Sequence, residues 1–529
     1  MRLQAHIHIL YACASLSALT FAHAQLPCFL TDANEDCLRS LGGIPPSLSP
    51  AWIAFQTSTP TLPPFWVPNN SSTSCADLSA SAPDPYHRSG QRDPAQQRLE
   101  FCENVELLSD ELQGWALVTC DQNRNQWNTL LGPLANSTSR GAMWLIDYSS
   151  GQGAGSAQII PFDAYPDSGD FKPLGSSTLR LAPNQFRTFV VNAAGARSFI
   201  EVFDVSLRSS GWRAKHVRSI SHPLATHTPN SIVALSAQEF LVTQDHFFAY
   251  HAPPQDQLQS TIEMLYPASK GVIAAAAAAT FRTAIATNTL PMLETVLAPA
   301  LTWANSSASP TDLVGARIVI RDIIYSNGIA LSPRGSTLAV ASGQSPAVLF
   351  FDAKRGAEWY DRKLLKEKAR VYLPMTVDNI MWSPAQSSSV PSDATSPVKM
   401  DNSVITAAGH PSGLALINAA KDPRNDAVNK AGSWAVQVSY LGSNTDADRE
   451  ADVDGGAPLT VSKRGVQKNQ NGFGVRTLYQ GAGTVKQNNG GLQGLKTSTT
   501  AVWDRQRKTM LVTGLYGIPG LMTCRNFAL

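Results

Sequence analysis

The chain has 529 residues, 43% of them hydrophobic and 16% charged. That is enough apolar side chain for one large core or two ordinary ones, which excludes disorder throughout. Lys and Arg number 42 against 40 Asp and Glu, a net charge of +2 that lacks the basic field nonspecific phosphate binding needs and so argues against a nucleic-acid partner.

In chain order, Arg2, the apolar run Ile9 to Phe21 and the small-residue site Ala22-His23-Ala24 form the pattern of a secretory signal cleaved before Gln25. The apolar run is shorter than the roughly 20 residues that a bilayer span needs. Residues 1–24 are therefore expected to be removed and the protein secreted to an extracellular location. Cleavage leaves Cys28, Cys37, Cys75, Cys102, Cys120 and Cys524, an even set suited to disulfides in an oxidising compartment. Asn69, Asn70, Asn136 and Asn305 head glycosylation sequons, which fit surface loops in the same compartment.

Residues 25–97 are rich in Pro, Ser and Asn with no sustained period, and read as a loop-like N-terminal extension. From 98 to 529 short apolar runs recur between turn residues: Trp115 to Thr119, Ala142 to Ile146, Thr188 to Val191, Phe199 to Phe203, Ile232 to Leu235, Thr337 to Ala341, Ala347 to Phe351, Val404 to Ala407, Trp434 to Val438 and Thr509 to Thr513. Runs of this length predict an all-β domain of many hairpins. Radial blades serve such a length better than one sandwich, whose sheets would be very wide with exposed edges. A propeller is expected, with two β-sandwich domains as the alternative. Within it, 260–304 holds Ala274 to Ala279 and a second helix-favouring stretch broken by Pro291. It reads as a helical insertion: a lid, a lipid- or membrane-facing surface, or a helix packed on a blade. The Ser/Pro-rich segment 386–401 reads as a flexible loop, and 442–491 as mobile connections around one or two weak strands.

Three sequences place Asn or Asp immediately before a strand: Pro229-Asn230-Ser-Ile, Ser326-Asn327-Gly-Ile and Val377-Asp378-Asn379-Ile. In a propeller the innermost strand of each blade starts near the axis, so such side chains converge. Their spacing suits a blade repeat of about 50 residues. Carboxylates and side-chain amides are the hard oxygen donors that calcium takes, and Glu103 completes a set of two carboxylates and three amides. Taken singly, each Asn is more often a turn or capping residue. No Gly-x-Ser-x-Gly elbow or His-Glu-x-x-His motif is present, and Gly151-Gln-Gly-Ala-Gly lacks the strand-helix context for phosphate.

Several ordered blocks carry a family likeness: Cys102-Glu-Asn104, Phe189-Val-Val-Asn192, Arg197-Ser-Phe-Ile-Glu-Val-Phe203, Asn230-Ser-Ile-Val-Ala-Leu with Gln244-Asp-His-Phe-Phe248, Ser326 to Pro333, Val377-Asp-Asn-Ile380, Gly409-His410-Pro-Ser-Gly413 and the C-terminal Cys524. From about Glu100 to Cys524 the chain resembles the serum paraoxonase and fungal arylesterase family. The resemblance implies a six-bladed β-propeller with calcium in its central tunnel, held by Glu103, Asn230, Asn327, Asp378 and Asn379, and hydrolysis of a small ester or lactone. A cysteine bridge closes the ring in that family, which implies Cys75 with Cys524. Cys102 and Cys120 flank a hairpin and are expected to pair, leaving Cys28 with Cys37, although spacing alone leaves the connectivity open.

The same likeness exposes departures. The family places a His dyad where this chain has Leu174 and Ala193, and acidic ligands to a second, structural calcium where it has Asn104 and Ser231. The usual general base is thus missing, and the second site is expected to be empty or feeble because affinity follows ligand charge. Asp378 and Glu103 are the candidate carboxylate bases or nucleophiles, and His410 is the better candidate histidine. His246 reads as a hydrogen-bonded strand end. A propeller that has lost turnover and serves as a calcium-stabilised binding or scaffold protein is the alternative.

Overall fold

Among the described residues, the alternation of apolar and small polar residues folds into six sheets of four or five strands each, antiparallel except for the edge strand Phe162–Asp163, which runs parallel to Gly211–Ile220. The computed structural model describes the chain between Leu62 and Phe527, apart from 68–73, 86–95, 134–139, 150–156, 246–300, 306–314, 354–364, 385–398, 426–430, 441–472, 487–491 and further stretches of one to three residues. All ten predicted runs fall in strands, although Leu235 lies one residue past the end of its own. The architecture is an all-β propeller.

Each sheet is a meander that begins with an inner strand. These inner strands are Cys102–Leu107 (sheet I), Pro173–Ala182 (II), Pro229–Ala234 (III), Ser326–Leu331 (IV), Thr376–Pro384 (V) and Ser498–Asp504 (VI). Each inner strand contacts the inner strand of the next sheet, and that of sheet VI returns to sheet I, so the ring is closed. Tight turns set the meanders. Pro183-Asn184 joins the first two strands of sheet II with Asn184 in the left-handed region (φ 52°), a conformation that Asn tolerates.

Six apolar clusters fill the seams between neighbouring sheets. Leu117, Met143 and Leu145 meet Phe186 and Phe203 between sheets I and II. Phe189 meets Ile232 and Phe240 between II and III, and Leu241 meets Leu338 and Val340 between III and IV. Phe350 packs with Ile405 and Trp434 between IV and V, Tyr479 with Trp503 and Met510 between V and VI, and Val502 with Val105 and Trp144 between VI and I. Each large apolar side chain so buried contributes roughly 1.5–3 kcal/mol. Because every seam needs both of its sheets, stability depends on closing the ring.

Closure comes from the N-terminus, which corrects the reading of 25–97 as loop and of 98 as the start of the domain. Ser74–Leu78 pairs with the C-terminal strand Leu521–Arg525 of sheet VI, with Cys75 directly opposite Cys524 and bonded to it. Phe65–Trp66 adds an edge strand to sheet V, and Ser81–Pro83 forms a hairpin with Gln96–Arg98. Two further expectations are corrected. Residues 301–304, assigned to the helical insertion, lie in the sheet III strand Leu301–Asn305, and Asn305 is the last residue of that strand. Phe473–Gly481, within the stretch read as weak strands, is a nine-residue member of sheet V. These segments form strands because a neighbouring edge recruits them, and composition does not register that. The signal sequence, Cys28, Cys37, Asn69, Asn70, Asn136, residues 260–300 and most of 386–401 lie outside the described residues, and no described helix is long and apolar enough to cross a membrane.

Asp77 sits beside this closing disulfide. Neither carboxylate oxygen has a hydrogen-bond partner, both are shielded from solvent, and burial raises its pKa to about 7. A carboxyl whose folded pKa lies above its unfolded value takes up a proton on folding, so its contribution to stability is full at low pH and is lost as pH rises toward 7. Asp77→Asn is expected to raise Tm at pH 8 by about 2–4 °C and to leave it unchanged near pH 4. Melting curves at the two pH values check this, and an equal shift at both would show that ionisation plays no part.

Candidate metal centre

All six inner strands carry a break in register at the same depth. In sheet II, Pro173 pairs with Asn192 and Ser176 with Val190, so Leu174 and Gly175 face one residue of the next strand. The same two-against-one insertion holds Asn230-Ser231 in sheet III, Asn327-Gly328 in IV, Asp378-Asn379 in V and Thr499-Thr500 in VI. In sheet I, Glu103 is the residue inserted between the Cys102–Cys120 and Asn104–Thr119 pairs. A β-bulge re-aims the side chains it carries, and every expected calcium ligand stands on one. Two glycines permit the close approach of neighbouring bulges. A Cβ on Gly328 would lie 2.6 Å from the Asn379 Cα, and one on Gly175 would lie 2.7 Å from the Asn230 carbonyl oxygen.

A bulge leaves backbone groups without ladder partners, and threonines supply them. Thr243 Oγ1 accepts from the Ser231 N–H at 2.9 Å and donates to the Ser231 carbonyl at 3.1 Å. Thr119 donates to the Leu174 carbonyl at 2.8 Å. The Glu103 carbonyl receives hydroxyls from Thr499 at 2.7 Å, Thr500 at 2.9 Å and Thr513 at 3.2 Å. The backbone that presents Glu103 is thus anchored from sheet VI.

The decisive observation concerns side-chain oxygens. Glu103 Oε2, Asn230 Oδ1, Asn327 Oδ1, Asp378 Oδ1 and Asn379 Oδ1 are all buried, and none has a hydrogen-bond partner among the described residues. Buried polar atoms are normally satisfied, so five orphaned acceptors on equivalent bulges need a common explanation. The other polar atoms of four of these side chains are tied down. The Asn230 amide nitrogen donates to Asp245 Oδ2 at 3.1 Å, that of Asn379 donates to Glu103 Oε1 at 3.4 Å, and His410 Nε2 bonds Asp378 Oδ2 at 2.9 Å. Donors point away and acceptors are left over, the polarity that a hard cation requires. The acids also crowd one another. Burial, then the Asp378 carboxylate, pushes Glu103 well above the ordinary carboxylate range, Asp245 adds to this, and the Arg124 guanidinium and the Asn379 amide oppose it. These residues fit a calcium ion: all five are oxygen donors, and their two carboxylates balance its charge. Among the described residues no group of three His, Cys, Asp or Glu side chains offers an alternative metal site.

His410 ends the second strand of sheet V and is brought to Asp378, while its Nδ1 is buried without a partner. Ser412 then caps the helix Gly413–Lys421, accepting from the Ala415 N–H at 3.2 Å. That helix is absent from the sequence-based expectations, and Pro411 and Gly413 at its start are residue types that turns favour. His246 lies outside the described residues. Leu174 and Ala193 are each 2% exposed and belong to the apolar seam between sheets II and III. At the second family site, the Asn104 amide donates to the Ser176 carbonyl and hydroxyl, and its oxygen lies 3.3 Å from the Thr500 hydroxyl, whose proton it shares with the nearer Glu103 carbonyl. Asn104 therefore leaves no orphaned oxygen, in contrast to the five ligand candidates.

Sequence reasoning missed Asp245 as an electrostatic member of the site, the threonines of sheet VI, and the buried Arg124. The Thr-rich run Lys496-Thr-Ser-Thr-Thr500 was the available signal for the threonines, but nothing in it marks a strand start.

With this geometry in hand, the Arylesterase family profile matches residues 131–277, and the likeness to that family is shown over those residues. No curated protein matches the chain. Among solved structures, the periplasmic gluconolactonase of Pseudomonas aeruginosa is 8% identical, with a TM-score of 0.32 over 78% of this chain and 77% of its own. A gluconolactonase from Xanthomonas campestris is 11% identical, with a TM-score of 0.29 over 80% and 96%. A putative 6-phosphogluconolactonase from Bacteroides uniformis is 10% identical, with a TM-score of 0.32 over 83% and 90%.

Proposed function

We propose that the six sheets are the blades of a secreted, calcium-dependent hydrolase of esters or lactones. The observation that carries this reading is the set of five orphaned oxygens on equivalent bulges of the inner strands. The Arylesterase match over 131–277 supports the reaction class. Glu103, Asn230, Asn327, Asp378 and Asn379 are the residues that would hold calcium, which, when bound, polarises a substrate carbonyl as a Lewis acid. Asp378 is held in place by His410. If His410 donates Nε2–H to that carboxylate, Nδ1 keeps its lone pair and can accept a proton from an attacking water. Glu103, steadied by Asn379 and the threonine hydroxyls, is the second candidate base or nucleophile.

One observation favours a second reading. Where the family has its His dyad, this chain buries Leu174 and Ala193 in an apolar seam, which suits a calcium-stabilised propeller that binds rather than turns over. The two readings part on one measurement, in which purified protein is given a panel of aryl esters and lactones with calcium and with chelator. Turnover lost on chelation and restored by calcium is expected. Hydrolysis at background level in both conditions, with a Tm that still falls on chelation, would select the binding protein.

A further inference from the structure

Arg124 is 1% exposed, and its Nη2 donates to the Pro173 carbonyl at 2.9 Å. Its buried Nε has no partner among the described residues. A guanidinium removed from water without an ion pair is costly and is ordinarily lost unless it is used. The side chain next to it repeats the pattern: Asn123 is 7% exposed and its Nδ2 is an orphaned donor. The metal ligands are orphaned acceptors, whereas this pair is orphaned donors.

Position gives the pair its meaning. Both residues lie on the turn that follows the second strand of sheet I, Trp115–Cys120. Arg124 grips the first residue of the sheet II inner strand, just before the Leu174-Gly175 bulge. That sector of the ring supplies no side-chain oxygen. The charge of Arg124 acts on Glu103 and on Tyr516, so the guanidinium is near the Glu103 bulge as well as the sheet II strand that it grips. Asp121 does not depend on Arg124 alone for a counter-charge, because the Lys172 ammonium acts on the same carboxylate.

We propose that Arg124 and Asn123 bind a negatively charged group of the substrate, so that the esters or lactones taken by this chain carry a carboxylate. A planar guanidinium presents paired N–H donors that match a carboxylate, and a buried one discriminates strongly against a neutral analogue. The inference rests on the hydrolase reading for its substrate and on the geometry of Arg124 for its charge.

The test compares kcat/KM on a five-membered lactone with that on its ring-carboxylate derivative, for the calcium-loaded wild type and for Arg124→Gln, Arg124→Lys and Asn123→Ala. The wild type is expected to prefer the acid. Arg124→Gln is expected to reduce that preference by about tenfold or more through KM, and Arg124→Lys and Asn123→Ala by less. A loss falling equally on both substrates, or a wild-type preference for the neutral lactone, overturns the proposal. Calorimetric titration with the opened dicarboxylate product runs beside it and separates this inference from the hydrolase reading. Should neither lactone turn over, binding that weakens in Arg124→Gln still supports the anion site, and binding that is absent or equal in both proteins overturns it. If Arg124→Gln does not fold, Arg124→Lys and Asn123→Ala carry the same comparison.

Discussion

Asp378→Asn is expected to strip the protein of calcium and to lower kcat/KM by about 10³-fold, or about 4 kcal/mol of transition-state stabilisation. The substitution is nearly isosteric and the position is an inner-strand bulge, so the blade should still form. Two things change. One of the two carboxylates among the five proposed ligands disappears, and affinity for a hard dication follows ligand charge. The partner of His410 at 2.9 Å becomes neutral, which weakens its hold on the imidazole. Calcium content by atomic emission, with turnover on the best ester or lactone of the panel, provides the measurement. The wild type should also melt at a lower temperature after chelation, by RT ln(1 + [L]/Kd) of lost ligand stabilisation, and the variant should show no such difference. A variant with full calcium and full turnover would remove Asp378 from the site.

The second large effect is expected at the ring closure. Cys75 and Cys524 are 449 residues apart in sequence and face each other across the outermost pair of strands in sheet VI. Replacing both with Ser leaves the strand Ser74–Leu78 held by pairing with Leu521–Arg525, its one sheet partner among the described residues. Loss of a native cross-link costs about 2–5 kcal/mol. The double variant is expected to melt several degrees lower while keeping calcium and turnover at 25 °C, because two strands separate the disulfide strand from the inner strand Ser498–Asp504. Differential scanning calorimetry with calcium analysis on the same samples checks it. A melting temperature within about 1 °C of wild type would mean that the closure is held by strand pairing and the Tyr479–Trp503 seam alone.

The donor set proposed for calcium can be picked out from residue type and position in the sequence. Asn230, Asn327, Asp378 and Asn379 each follow a turn and precede a β-branched or apolar run, and Glu103 follows a cysteine in a strand-like block. Oxygen donors at strand starts can be picked out because residue type and strand period are local properties. The disulfide Cys102–Cys120 was legible for a related reason, since the two cysteines bracket one hairpin and fall in direct register.

Other features follow from distant parts of the chain meeting, and sequence is silent on those. Ser74–Leu78 has no composition that marks a strand, and it becomes one because the free edge of Leu521–Arg525 has unpaired backbone groups to satisfy. Arg124 looks like a loop arginine until the turn that bears it is folded against Pro173. The Thr499, Thr500 and Thr513 hydroxyls on the Glu103 carbonyl are separated from it by some 400 residues.

By itself, then, the sequence determined the β class, the strands with strong apolar alternation, and the chemical type of the donors at five positions, because each depends on a residue and its near neighbours. Only the tertiary structure decided that those donors stand on equivalent bulges of one closed ring, with their oxygens unsatisfied and a buried guanidinium at hand. Register between strands and the pairing of remote edges are set by packing across the seams, where a shift of one residue would turn every donor away from the axis.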